Sequence, residues 1–150
     1  MGSREEIEQL IPHREPFLWV DRIMAISPEA IETEKDIPVE LPIFAGHYPG
    51  NPLMPGVLLC EAVFQSGSLL IAKHLGAKLD AVGAAPVLTR ILGAKFKRPV
   101  RPGETIRIQV KLTEQIGPAW FMSGTVLVNA KVAVKVEFAC ALAGLTKAEE

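Results

Sequence analysis

Tyrosine occurs once in these 150 residues, tryptophan and cysteine twice each, and histidine three times. The two cysteines, Cys60 and Cys140, have apolar neighbours and no C-x-x-C spacing, so they read as reduced buried thiols and not as a disulfide or metal site. His13, His47 and His74 stand at no metal-ligand spacing, and neither a metal nor any other cofactor is expected. An excess of one charge is missing too. With 16 basic and 17 acidic side chains the net charge is −1, so the whole molecule calls for neither nucleic acid nor an anionic membrane. The longest apolar stretch, Val57 to Ala72, is broken by Glu61 and Gln65 and is too short and polar to span a bilayer. Arg4, Glu5, Glu6 and Glu8 occupy the place where a signal peptide would be apolar, and Glu6 takes the hydroxyl position of a myristoylation motif. A cytoplasmic protein is expected.

What the chain has in quantity is apolar side chains, 49% of the total, with a mean hydropathy of +0.25. A single domain spanning residues 1–150 can bury roughly 70% of its unfolded surface, and the surplus suggests apolar surface shared between subunits. Ser3 with Glu6 predicts a capping box opening a short helix to Leu10, ended by Pro12. Strands are predicted over Phe17–Ile26 and Ala30–Ile37, joined as a hairpin across Ser27-Pro28-Glu29. One long helix should run from Gly56 to His74 and close at Gly76. Four strands should follow, over Pro86–Phe96, Thr105–Gln115, Trp120–Val128 and Val132–Leu142. An almost wholly apolar helix needs cover on all sides, so the expected α+β fold is a curved antiparallel sheet wrapped around that central helix.

Gly46-His47-Tyr48-Pro49-Gly50-Asn51-Pro52-Leu53-Met54-Pro55-Gly56-Val57 packs three prolines and three glycines into twelve residues, with His47 its one imidazole. A core histidine held by a backbone carbonyl is the commoner fate of an isolated His. Here, however, the stiff loop runs straight into a helix start, and Glu61 follows fourteen residues after His47. Glu61 lies one turn from Gln65 on an apolar helix. A buried carboxylate there either accepts hydrogen bonds for structure or has a raised pKa and serves as a general acid. The free N–H groups near Gly56 and Val57 could hold a carbonyl oxygen as it gains charge. A base, an acid and an oxyanion donor suit removal of a proton beside a thioester carbonyl with loss of a β-hydroxyl as water. No nucleophile is needed, and Ser66, Ser68 and Cys60 do not stand out as one.

At these residues the chain resembles the 3-hydroxyacyl-acyl carrier protein dehydratases of fatty-acid synthesis, which have the hotdog fold. The likeness runs through Ile11-Pro12-His13-Arg14-Glu15-Pro16-Phe17-Leu18-Trp19-Val20-Asp21-Arg22, the Gly46–Val57 loop, Glu61-Ala62-Val63-Phe64-Gln65 and Phe96-Lys97-Arg98-Pro99-Val100-Arg101-Pro102-Gly103. It implies that His47 abstracts the α-proton, Glu61 protonates the leaving hydroxyl, the Gly56 amide polarises the carbonyl and Gln65 orients Glu61, with His13 structural. It also implies homodimers whose sites join His47 of one subunit to Glu61 of the other, usually three dimers to a hexamer. Lys95, Lys97, Arg98 and Arg101, four positive charges in seven residues, would meet the acidic carrier protein, while Phe44, Tyr48 and Phe64 would line or gate an acyl tunnel. A glutamate at position 61 implies dehydration without isomerisation. The stretch from Ala84 to Gly93, with Pro86 and Arg90, departs from the family pattern, as do Cys60 and Phe64, and there the tunnel, dimer contact and acyl-length preference would differ. Two other functions fit the same residues: a hotdog thioesterase in which Glu61 activates water, and a non-catalytic acyl-carrier binding module, which the intact His47 and Glu61 disfavour.

Overall fold

A computed structural model describes residues 2–76 and 84–144. Helix α1 spans Arg4–Leu10, and the Ser3 hydroxyl caps it by accepting from the Glu6 N–H at 3.4 Å. The reciprocal arm of the expected capping box is replaced, because the Glu6 carboxylate pairs with Lys73 at 3.1 Å.

Strand β1 covers only Arg22–Ile26, five residues later than the sequence suggests. Leu18, Trp19 and Val20 are buried as a strand reading would have them, but the backbone there bonds to a side chain. Gln65 accepts from the Trp19 N–H at 2.8 Å and donates to the Phe17 carbonyl at 2.9 Å, which takes these groups away from any ladder. Strand β2, Ala30–Asp36, completes the expected hairpin, with Ser27 N–H bonded to Ala30 O at 2.8 Å. Its Ile31, Thr33 and Lys35 point inward. Lys35 is buried against Trp19, its Nζ 3.1 Å from Asp21. A 3-10 helix over Pro42–Ala45 precedes helix α2, Gly56–Leu75, which Gly76 closes with φ +55°.

Strands β3 (Ala84–Phe96), β4 (Thr105–Ile116), β5 (Ala119–Val128) and β6 (Lys131–Gly144) complete one antiparallel sheet in the order β1-β2-β4-β5-β6-β3. The sheet curls around α2, giving the expected hotdog arrangement. By length and hydropathy α2 could cross a membrane, yet 72% of its apolar window lies buried in this core.

Two features of the wrapping matter for the site. Polar helix residues facing the sheet are satisfied in pairs: Ser66 donates to Ala62 O at 2.8 Å, so the Thr33 hydroxyl is the donor in its 2.8 Å bond to Ser66. The sheet also leaves β3 as a 13-residue edge paired only with β6, and Leu88, Ile91, Leu92 and Phe96 on it are exposed.

Helix and sheet touch most closely where a Cβ on Gly124 would overlap Val63 Cγ1. Because β-branched Val63 is stiff, Gly124→Ala should cost about 1–3 kcal/mol, read as a lower guanidinium midpoint with an unchanged slope. Combined with Val63→Ala, the loss should be smaller than the sum of the two single losses.

Candidate active site

The loop carrying His47 is built from its own backbone. His47 N–H bonds to Ile43 O at 3.0 Å at the end of the 3-10 helix, and Tyr48 and Asn51 exchange backbone bonds of 3.1 and 2.9 Å around Gly50, whose φ of +72° suits glycine. The peptide joining His47 to Tyr48 is cis. Leu53 then clips the loop shut, donating its N–H to His47 O at 2.8 Å while its own carbonyl lies 2.8 Å from His47 Nδ1. A carbonyl only accepts, so Nδ1 carries the ring proton and Nε2 keeps its lone pair. Tyr48, half exposed, stacks on the imidazole with centroids 4.2 Å apart.

Helix α2 begins at Gly56 after Pro55, and its first backbone bonds run from Leu58 and Leu59 to Pro55 O. The N–H groups of Gly56 and Val57 precede those bonds, at the positive end of the dipole. Phe96 packs against the open Cα of Gly56, since a Cβ there would stand 2.7 Å from Phe96 Cε1. His47, Tyr48, Leu53, Gly56 and Phe96 line an open cavity of about 400 Å³, with Lys97 and Arg98 also in its wall.

Glu61 faces a different cavity, of about 310 Å³, between Pro12, His13, Phe64, Ser68 and the start of β3 from Ala85 to Leu88. Burial raises its pKa, and a hydrogen bond from Gln65 Nε2 to Oε2 at 3.0 Å partly offsets this. Gln65 is wholly buried and immobile, since its oxygen is held by Trp19 N–H and its amide by Phe17 O. No thiol competes as nucleophile: burial raises the pKa of Cys60, and burial with the charge of Glu61 pushes Cys140 up to about 12.

Within one protomer, then, His47 and Gly56 share a cavity, Glu61 and Gln65 share contacts, and the two groups line separate cavities. Tyr48 lines the first and Phe64 the second, whereas Phe44, expected at the tunnel, is packed in the core and lines neither. Val57 is exposed at the helix start and also lines neither. The basic cluster divides as well. Lys97 and Arg98 stand beside His47, and Arg101 reaches Asn51 Oδ1 in the loop at 3.1 Å, but Lys95 lies in a groove along β3, β5 and β6. Sequence reasoning passed over two neighbours of the site. Phe96 was visible only as a strand residue beside basic side chains, and His13, given a structural role, has its Nε2 3.8 Å from Glu61 Oε2.

Comparisons with known proteins give the family and the fold. The model of the FabA-like domain family matches residues 11–137. The 3-hydroxyacyl-acyl-carrier-protein dehydratase FabZ of Anaeromyxobacter sp. (strain Fw109-5) is 39% identical over 140 residues, covering 93% of this chain and 89% of the relative. Its namesake in Rickettsia massiliae (strain Mtu5) is 42% identical over 134 residues, 89% and 90% of the two chains. Among solved structures, the dehydratase heterocomplex ApeI:P from Xenorhabdus doucetiae superposes with a TM-score of 0.78 at 15% identity over 94% of this chain and 93% of that one. The uncharacterised protein PH1136 from Pyrococcus horikoshii gives 0.62 at 16% identity, covering 85% of each chain. These two share the fold alone; the family model and the curated relatives go further, and by them the chain belongs to the FabA-like family, among its FabZ-type 3-hydroxyacyl-acyl-carrier-protein dehydratases.

Proposed function

We propose that this chain dehydrates (3R)-3-hydroxyacyl-acyl carrier protein to the trans-2-enoyl thioester in fatty-acid synthesis. The observation that carries the reading is the bond between His47 Nδ1 and Leu53 O, which leaves Nε2 as a base. His47 Nε2 takes the α-proton and becomes imidazolium while the thioester oxygen, gaining charge, accepts from the Gly56 N–H. The electron pair then closes the double bond as the C3–O bond breaks. The hydroxyl leaves as water with the proton of Glu61, whose raised pKa suits a donor. A proton returned from His47 to Glu61, directly or through solvent, resets the site.

One protomer holds only halves of this machinery, and the β3 edge supplies a way to join them. The His47 cavity includes Phe96, near one end of β3, and the Glu61 cavity includes Ala85 to Leu88, near the other. Antiparallel pairing of two β3 edges about a twofold axis near Ile91 sets the Phe96 end of each chain beside the Ala85–Leu88 end of its partner. His47 of one subunit then works with the partner's glutamate, and the exposed Leu88, Ile91, Leu92 and Phe96 become interface. Three such dimers form the hexamer the resemblance implies, which sedimentation would read as six times 16.3 kDa. Lys97, Arg98 and Arg101, beside the loop, receive the acidic carrier protein. A cytoplasmic location goes with this reading, supported by the free buried thiols of Cys60 and Cys140.

Purified protein should hydrate crotonyl or longer enoyl thioesters reversibly, and His47→Ala or Glu61→Gln alone should each lower kcat by about a hundredfold or more. Unchanged turnover in either, or release of free thiol in place of hydration, would remove the mechanism. Co-expressed His47→Ala and Glu61→Gln chains should recover about a quarter of wild-type activity, because half of random dimers carry one intact site of two. No recovery in isolated mixed dimers would place each site within a single chain. Lys97→Glu with Arg101→Glu should cut kcat/KM about tenfold on carrier-bound substrate and flatten its salt dependence, with a smaller loss on N-acetylcysteamine thioesters.

A further inference from the structure

His13 is the one histidine beside the proposed acid, and the mechanism leaves it without a task. Its Nε2 stands 3.8 Å from Glu61 Oε2, outside hydrogen-bond reach, and its Nδ1 is buried with no partner among the described residues. His47 is held in the opposite way, with Nδ1 clamped to a carbonyl. A histidine kept for packing satisfies its buried nitrogen. In His13 the backbone is what is fixed, because Arg14 donates to His13 O at 2.7 Å and to Ile11 O at 2.8 Å, while the ring between them is tied at neither end.

Glu61 needs such a ring once it has given up its proton. Oε2 already accepts from Gln65, but both amide hydrogens of Gln65 are committed, one to Glu61 and one to Phe17 O. The fresh carboxylate gains charge in a half-buried place, and among the described residues Gln65 is the one donor bonded to it. His13 lies about 1 Å beyond a hydrogen bond to it. Burial, and after it the charge of Arg14, lowers the pKa of His13 and favours a neutral ring with one proton. On Nε2 that proton faces an acceptor; on Nδ1 it would be stranded.

We propose that His13 is a positioning residue for the acid: its neutral Nε2–H turns onto Glu61 Oε2 as the carboxyl loses its proton to the leaving hydroxyl. The contact serves the ionised product and not the resting acid, so it lowers the barrier without tightening substrate binding. No proton leaves His13; the one consumed is that of Glu61. The inference rests on Glu61 being the general acid. Among the described residues, the other titratable or charged groups around the pair are Arg14 on the same segment, answered by Glu8 at 3.1 Å, the Cys60 thiol on α2 and the Cys140 thiol on β6, both kept neutral by burial. The β3 wall from Ala85 to Leu88 contributes none.

The test uses the full chain with carbon-13 in glutamate carboxyls and nitrogen-15 in histidine rings. In the wild type the Nε2 resonance of His13 should shift with the same midpoint as the Glu61 carboxyl carbon. His13→Phe should lower kcat about tenfold, leave KM within about twofold and raise the Glu61 midpoint, since a donor to the charged form is lost. His13→Gln, whose amide N–H can reach from the same side, should restore most of both. The proposal fails if the Glu61 midpoint stays put in His13→Phe, if Gln and Phe behave alike, or if KM alone changes. Should His13→Phe not fold, the wild-type resonances decide by themselves, and an Nε2 signal blind to the Glu61 midpoint sinks the contact. Full turnover in Glu61→Gln overturns the acid assignment instead, a result distinct from the resonance coupling.

Discussion

One buried amide organises the half of this molecule that holds the proposed acid, Glu61. Gln65 sits on the central helix and makes three bonds, to Trp19 N–H, Phe17 O and Glu61 Oε2. The first satisfies a buried N–H that would otherwise lack a partner, at a cost of about 1–3 kcal/mol, and the second engages the part-buried Phe17 carbonyl. They tie the N-terminal segment to α2 and carry His13 to within 3.8 Å of Glu61. The third fixes the carboxyl of Glu61 from inside the core. An apolar residue at position 65 would fill the same space yet free both the acid and the segment that covers it.

The proposed base is positioned by different means. His47 depends on a loop folded by short backbone bonds and stiffened by proline, with Leu53 as both donor and acceptor to the same residue. A rigid loop suits a base whose tautomer must not change, and a buried helix suits an acid whose pKa must rise. The two requirements place the groups in separate cavities of one chain, and the long apolar edge of β3 between them gives the spacing over which a second copy would reunite them.

Much of this was legible in the sequence because it rests on local signals. Period-two alternation marked β2 and β4, Gly76 marked the end of α2, and a lone Glu61 on an apolar helix marked itself. The chain's misleading stretch is Phe17–Trp19, whose apolar run matches a strand while the Phe17 carbonyl and the Trp19 N–H bond to Gln65 some 46 residues away. Hydropathy reports burial and not the partner of each N–H. For the same reason the contacts of His13 and Phe96 were not legible: the ring near Glu61 and the ring against Gly56 meet their neighbours across the fold. Lys95 joined a basic cluster in sequence but stands apart from Lys97, because β3 ends between them at Phe96: Lys95 lies in the groove along the sheet, while Lys97 has left the strand for the wall of the His47 cavity.

The placement of Glu61 also opposes the stability of the fold. An acid whose pKa is raised by folding stabilises the native state fully below its unfolded pKa, and that contribution is lost as pH rises through the folded value. Near neutrality the ionised form therefore costs the folded chain free energy that glutamine in its place would not. Gln65 recovers part of it by donating to the carboxylate, and the burial of Leu69, Leu70 and Ile71 further along α2 supplies the remainder without touching the site. Helix α2 thus divides along its length: the first turns carry a carboxyl poised by destabilisation, and the later turns anchor it in an apolar core.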